Sequence, residues 1–107
     1  MARRVLILPE AKEDLVDIHR YVALHDSIVL AERLLDRLEE KCASLSEHPE
    51  RGHAVPELKR VFVSGFKEIH FKPYRIIYQI FDEIVHIHAV IDGRRELQEF
   101  LEQRVLR

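Results

Sequence analysis

The chain has 107 residues, 47% of them hydrophobic and 34% charged, with a formal net charge of −2. That balance reads as a globular protein rather than a disordered one and suits one continuous core, so residues 1–107 are expected to form a single domain. The weak negative charge argues against a general polyanion binder, a lone Cys42 excludes an internal disulfide or a cysteine-built zinc site, and no apolar run approaches the length of a membrane span, which points to the cytoplasm.

The run from Arg3 to Leu8 is short, partly β-branched and bounded by Pro9, and predicts a first strand. Pro9 then suits the first turn of a helix, with Glu10, Glu13 and Asp14 placing negative charge at its N-terminus. Ala11, Leu15, Ile18 and Val22 recur at helical spacing, giving a helix from about Pro9 to Leu24. Asp26 or Ser27 can cap a second amphipathic helix, whose apolar face carries Ala31, Leu34, Leu38, Cys42 and Leu45. So short a connection requires the two helices to pack antiparallel. Cys42 reads as a packed helix residue rather than a nucleophile.

Two prolines, a glycine and no sustained period make residues 46–60, "SEHPERGHAVPELKR", a loop. Three β-rich runs follow, "FKEIHF", "YRIIYQIF" and "IVHIHAVI", with the short turns "KP" and "DE" that antiparallel neighbours need. From Arg94 onward a weakly amphipathic helix presents Leu97, Phe100 and Leu101. The order β-α-α-β-β-β(-α) predicts an α+β fold, the helical hairpin covering one face of a small antiparallel sheet.

Alternation without a bulge would place Tyr74, Ile76, Tyr78 and Ile80 with Val85, Ile87, Ala89 and Ile91 against the helices. The opposite face would then gather Glu68, His70, Arg75, Gln79, His86 and His88. Three readings of that face stay open. A carboxylate, an imidazole and a guanidinium can act as proton-transfer groups and phosphate clamp for RNA cleavage. His86, His88 and His70 can be read as metal ligands, although no recognisable ligand spacing supports it, and neither metal nor cofactor is expected. Last, the face can simply be one that a protein partner covers. Arg94 and Arg95 in "GRR" would add cations beside Arg75, and Lys67 and Lys72 either extend that surface or keep a strand edge from pairing.

The succession strand, helical hairpin, "HPERG", "PEL", "PYRIIYQ", "VIDGRREL" and terminal helix resembles the RelE/ParE superfamily of type II toxin–antitoxin toxins. The resemblance covers nearly the whole chain and is most specific from His48 to Leu97. It implies a small cytoplasmic toxin neutralised by a co-encoded antitoxin, as a hetero-oligomer or with a homodimer of the toxin, and one of two poisons. RelE-like members cut mRNA in the ribosome; ParE-like members are associated with inhibition of DNA gyrase.

Carried over by position, Arg75 matches the arginine of the "YR" strand and Arg95 the arginine after the last strand. Where the nuclease branch has strand lysines this chain has Phe66 and Glu68, and where it has a helix tyrosine this chain has Leu101 beside Phe100. The resemblance therefore implies a ParE-like gyrase inhibitor binding target or partner through Arg75, Gln79, Arg94, Arg95 and Lys67. The alternatives are a ribosome-dependent nuclease using Arg75, Arg95, Glu68, His70 and His88, and a non-toxic relic that only binds antitoxin.

Overall fold

Pro9 opens the longest helix of the chain. The computed structural model describes residues 2–106 and begins with strand β1 (Arg4–Ile7), which leads into helix α1 (Pro9–His25) with that proline in its first turn and Glu10 beside it. Asp26 ends α1, its amide donating to the Val22 carbonyl at 2.8 Å, and the Ser27 hydroxyl accepts from the Leu30 amide at 3.0 Å to cap helix α2 (Ile28–Ala43). A two-residue link leaves the helices no geometry but an antiparallel hairpin.

Residues 46–60, expected to be a loop, are more ordered than their composition suggests. Two 3-10 turns (Ser44–Ser46 and Pro49–Arg51) lead to a two-residue strand β2 (His53–Ala54) and a single-turn helix α3 (Pro56–Lys59). Short elements of this kind carry no period to read. Strands β3 (Phe66–Phe71), β4 (Tyr74–Phe81) and β5 (Ile84–Asp92) then form a meander, with Asp82 and Glu83 both at positive φ in the β4–β5 turn. Helix α4 (Gln98–Leu106) closes the chain, starting four residues later than expected because Gly93–Arg95 is a turn.

The strand order is β1-β5-β4-β3-β2. The meander is antiparallel as expected, but β1 lies parallel to β5, so the sheet is mixed. The α1 crossover separating β1 from the other strands makes that parallel pairing possible.

The second difference from expectation is a bulge. Ile77 pairs with Ala89 and Tyr78 with Ile87, leaving His88 as an extra residue in β5. An inserted residue reverses the alternation beyond it. Val85, Ile87 and Val90 therefore join the hairpin-side core with Leu15, Leu38, Cys42, Leu45, Ile76 and Tyr78, while Ala89 and Ile91 turn to the other face. There they pack with Ile77, Val55, Leu58, Leu97 and Leu101 under α3 and α4. The sheet is thus covered on both sides, rather than having one wholly polar face.

One ion pair ties these layers together. Arg104 on α4 donates from both Nη atoms to Asp14 on α1, each at 3.0 Å, and its Nη1 also reaches the His88 carbonyl at 3.0 Å. Strand β1 pairs with β5 no further than Ile87, and past that point the Val90 amide donates to Asp14 Oδ2 at 2.9 Å. The irregular backbone around the bulge is thereby satisfied by side chains. Cys42 is fully buried in the core, where burial pushes its thiol up to about 12, as suits a packing residue. No described helix is long and apolar enough to cross a membrane.

Candidate functional site

With α3 and α4 covering the apolar half of that sheet face, its polar half remains as a cleft of about 580 Å³. Its lining includes His53, Glu57, Arg60, Glu68, His70, Arg75 and Arg94. The β3–β4 register sets His70 opposite Arg75, the β2–β3 register sets His53 opposite Glu68, and alternation puts Glu68 and His70 on one face.

Arg75 is held from two sides. Its Nε and Nη2 donate to Glu68 at 2.7 and 2.9 Å, while Nη1 and Nη2 donate to Glu57 at 2.7 and 2.8 Å. A guanidinium has five N–H donors, so these four bonds leave it one. The hydrogen bond from Arg75 holds the Glu57 carboxyl below its ordinary range against the opposing effect of burial, and the two carboxylates, Glu57 first, push the guanidinium further above its own. Glu68 is 1% exposed, a burial that a carboxylate tolerates only when paired and hydrogen-bonded. Its Oε1 also meets His70 Nε2 at 2.9 Å, and its Oε2 lies 4.0 Å from His53 Nδ1.

The glycine of "GRR" belongs to the same arrangement. A β-carbon on Gly93 would stand 2.9 Å from the Arg75 side chain, so the aliphatic stem of Arg75 needs glycine beneath it. Arg94 also lines this cleft, although its guanidinium turns to Asp92, with Nη2 and Nε at 2.7 and 3.0 Å; that bond holds the Asp92 carboxyl below its ordinary range.

Of the residues singled out by sequence, Glu68, His70, Lys72, Arg75 and Arg94 come together along the cleft. Arg95 is exposed and lines a different groove with Asp14, Asp17, Tyr21 and Tyr74. Gln79 pairs across from Phe66 and His86, away from the cleft. Lys67 faces the other side of β3. His86 and His88 lie on the Arg75 side of the sheet but elsewhere along it, His88 edge-on to Phe66 and His86 edge-on to Phe81, and among the described residues their Nε2 atoms are buried without a hydrogen-bond partner. Burial, with His86 and Arg104 adding to it, pushes the His88 imidazole below its ordinary value.

Two members of the site, His53 and Glu57, fell in the stretch read as a loop. The signal for Glu57 was "PEL", a carboxylate in the first turn after a proline, but nothing in its neighbours names Arg75 as its partner.

These features match known proteins. Residues 5–97 match the family model for the ParE toxin of the type II toxin–antitoxin system parDE, and the chain belongs to that family. Its fold is that of the RelE/ParE toxins. It is similar to a structure of the chromosomal ParDE toxin–antitoxin system from P. aeruginosa, at TM-score 0.72 and 14% identity over 85% of this chain and 96% of that one. A structure of the RelBE2 toxin–antitoxin complex from Mycobacterium tuberculosis aligns at TM-score 0.64 and 23% identity, covering 86% and 99%. An arginine-to-alanine double mutant of the E. coli toxin RelE in the free state aligns at TM-score 0.64 and 18% identity, covering 99% and 97%. No match is found among curated proteins.

Proposed function

We propose that the protein is a ParE-like toxin that inhibits DNA gyrase through protein–protein contact and is neutralised by a cognate antitoxin. The observation that carries this reading is the state of Arg75. A phosphate clamp needs guanidinium N–H groups to offer, and here four of the five donors are committed to Glu57 and Glu68. Two carboxylates on one guanidinium leave that group net negative, so a phosphate brought to Arg75 meets repulsion from Glu57 and Glu68 even though Arg60, Lys72 and Arg94 also line the cleft. Leu101, at the position where a nuclease tyrosine is implied, is fully buried and has no proton to exchange.

Protein contact has surface available to it. Tyr21, Leu24, Ile28 and Val29 are exposed at the tip of the helical hairpin, and Arg94 and Arg95 stand exposed after β5. The test is a supercoiling assay with purified gyrase and excess toxin. Inhibition that weakens in the Arg94→Ala, Arg95→Ala double variant supports the reading; unaffected supercoiling rejects it.

Ribosome-dependent mRNA cleavage is the second reading, and the imidazoles of His53 and His70 beside Arg75 are the observation in its favour. It requires Arg75 to exchange its carboxylates for a scissile phosphate. New mRNA 5′ ends within codons after induction, lost in Arg75→Ala, would establish it. Normal growth on induction without antitoxin would instead leave a binding module that has lost its toxicity.

A further inference from the structure

We propose that His53, Glu68 and His70 form a Zn²⁺ site with an open coordination position facing the cleft. Nδ1 or Nε2 of each histidine and a carboxylate oxygen of Glu68 lie within 4.8 Å of one another, the one such three-residue group among the described residues. A tetrahedral Zn²⁺ with ligands at about 2.0–2.2 Å needs its ligand atoms about 3.4 Å apart. The present separations are 2.9 Å from Glu68 Oε1 to His70 Nε2 and 4.0 Å from Glu68 Oε2 to His53 Nδ1, so one carboxylate oxygen must turn to serve both rings. Side-chain rotations alone would close the set.

The backbone has already placed the donors. His53 and Glu68 are register partners across β2 and β3, and His70 is two residues along from Glu68 on the same face, with its ring edge-on to that of His53 at 5.0 Å. Glu68 is oriented by Arg75, which donates to both its oxygens, and Arg75 is in turn braced by Glu57. Outer hydrogen bonds of this kind fix ligand orientation at metal centres.

The Glu68 carboxylate would be the one anionic ligand beside two neutral imidazoles, and Glu57 offsets the charge of the Arg75 guanidinium that braces it. The hydrogen that His70 Nε2 shares with Glu68 Oε1 marks the position the ion would take, and its uptake at His53 Nδ1 requires that nitrogen to give up its 3.2 Å contact with the Ala54 carbonyl. Two imidazoles and one carboxylate suit Zn²⁺ rather than Mg²⁺ or Ca²⁺, which take oxygen ligands. Both histidines are exposed, giving the ion a route in from solvent. Three protein ligands leave a fourth position for water or an anionic oxygen.

The full chain, stripped of metal by chelator and dialysed, would be titrated with Zn²⁺ by calorimetry at pH 7.5, and with Co²⁺ by visible absorption. One equivalent should bind, with Co²⁺ giving the intense absorption of a tetrahedral centre and Mg²⁺ giving no signal. His53→Gln and His70→Gln should each weaken binding by about tenfold or more, while His25→Gln, on the far end of α1, leaves it unchanged. His53 is exposed on a two-residue edge strand, so its variant tests the site without threatening the fold. Absence of one-equivalent binding, equal binding of Mg²⁺, or affinity that survives both substitutions would overturn the proposal.

Discussion

The Tyr78 hydroxyl accepts a hydrogen bond from the Gly52 amide at 3.0 Å and donates its own proton to the Pro49 carbonyl, fastening the "HPERG" segment to the middle strand of the sheet. Gly52 has no room for a side chain, since a β-carbon there would overlap that hydroxyl. Arg51 secures the same segment from outside, its Nη1 reaching the Glu47 carbonyl at 2.9 Å and its Nη2 the Ser44 hydroxyl at 2.6 Å. Two segments of the resemblance that lie apart in the sequence, "HPERG" and "YRIIYQ", are therefore one structural unit.

That unit predicts a specific pair of losses. Tyr78→Phe leaves a buried acceptor at Pro49 and a donor at Gly52 unmatched, and should cost about 1–3 kcal/mol in urea unfolding. Gly52→Ala forces the tyrosine away and should cost a similar amount by overpacking. The Gly52→Ala, Tyr78→Phe double variant should lose less than the sum, because removing the hydroxyl relieves the closest overlap and leaves the 2.8 Å approach to the Glu68 carbonyl. Additive losses would show that the two residues act independently.

Arg75 gives the second prediction. Glu57→Ala returns two N–H groups to the guanidinium and removes a negative charge from the cleft. Binding of a short RNA at low salt should strengthen by about tenfold, the worth of roughly one charge-assisted hydrogen bond. Adding Arg75→Ala should cancel the gain. Wild-type protein that already binds RNA as tightly as Glu57→Ala would mean that the carboxylates do not hold Arg75 back.

Much of the fold was legible because it rests on periodic signals. Ala11, Leu15 and Ile18 on one helix and Ala31, Leu38 and Cys42 on the next do what their spacing demands, and the Ser27 cap lies where a hydroxyl precedes an apolar run. The bulge at His88 has no such signal. An inserted residue looks like any other in a strand, yet it sends Ala89 and Ile91 to the face opposite the expected one. The site was half legible for a related reason: Glu68, His70 and Arg75 sit on regular strands, while His53 and Glu57 come from elements too short to carry a pattern. Their meeting depends on tertiary register, which no local spacing encodes.

His88 supplies a pH dependence whose sign follows from its burial. Unfolded, its imidazole titrates near the ordinary value of about 6.5; folded, burial keeps it neutral to a lower pH. Between those two values the unfolded chain holds the extra proton, so stability falls as pH drops through that window. Urea midpoints measured at pH 7.5 and 5.5 should therefore decline in the wild type and decline less in His88→Gln, whatever the variant does to stability at pH 7.5. Equal declines would locate the dependence in other groups.

The last prediction concerns the clasp between the first and last helices. Asp14 and Arg104 are each largely buried, their side chains 12% exposed, and the Asp14 carboxylate serves both the guanidinium and the Val90 amide. Removing one partner of such a pair strands the other, at a cost of about 3 kcal/mol. Asp14→Ala should reach that figure, because it leaves the Val90 amide without its acceptor and Arg104 with only the His88 carbonyl at 3.0 Å and Glu10 at 3.9 Å. Arg104→Ala loses in addition the cover over the Phe100 ring, whose centroid lies 4.8 Å from the guanidinium carbon. In hydrogen exchange, α4 and the amide of Val90 should lose protection together in Asp14→Ala, while the α1–α2 hairpin core keeps its own. Uniform loss across the chain would show instead that α4 unfolds only with the whole molecule.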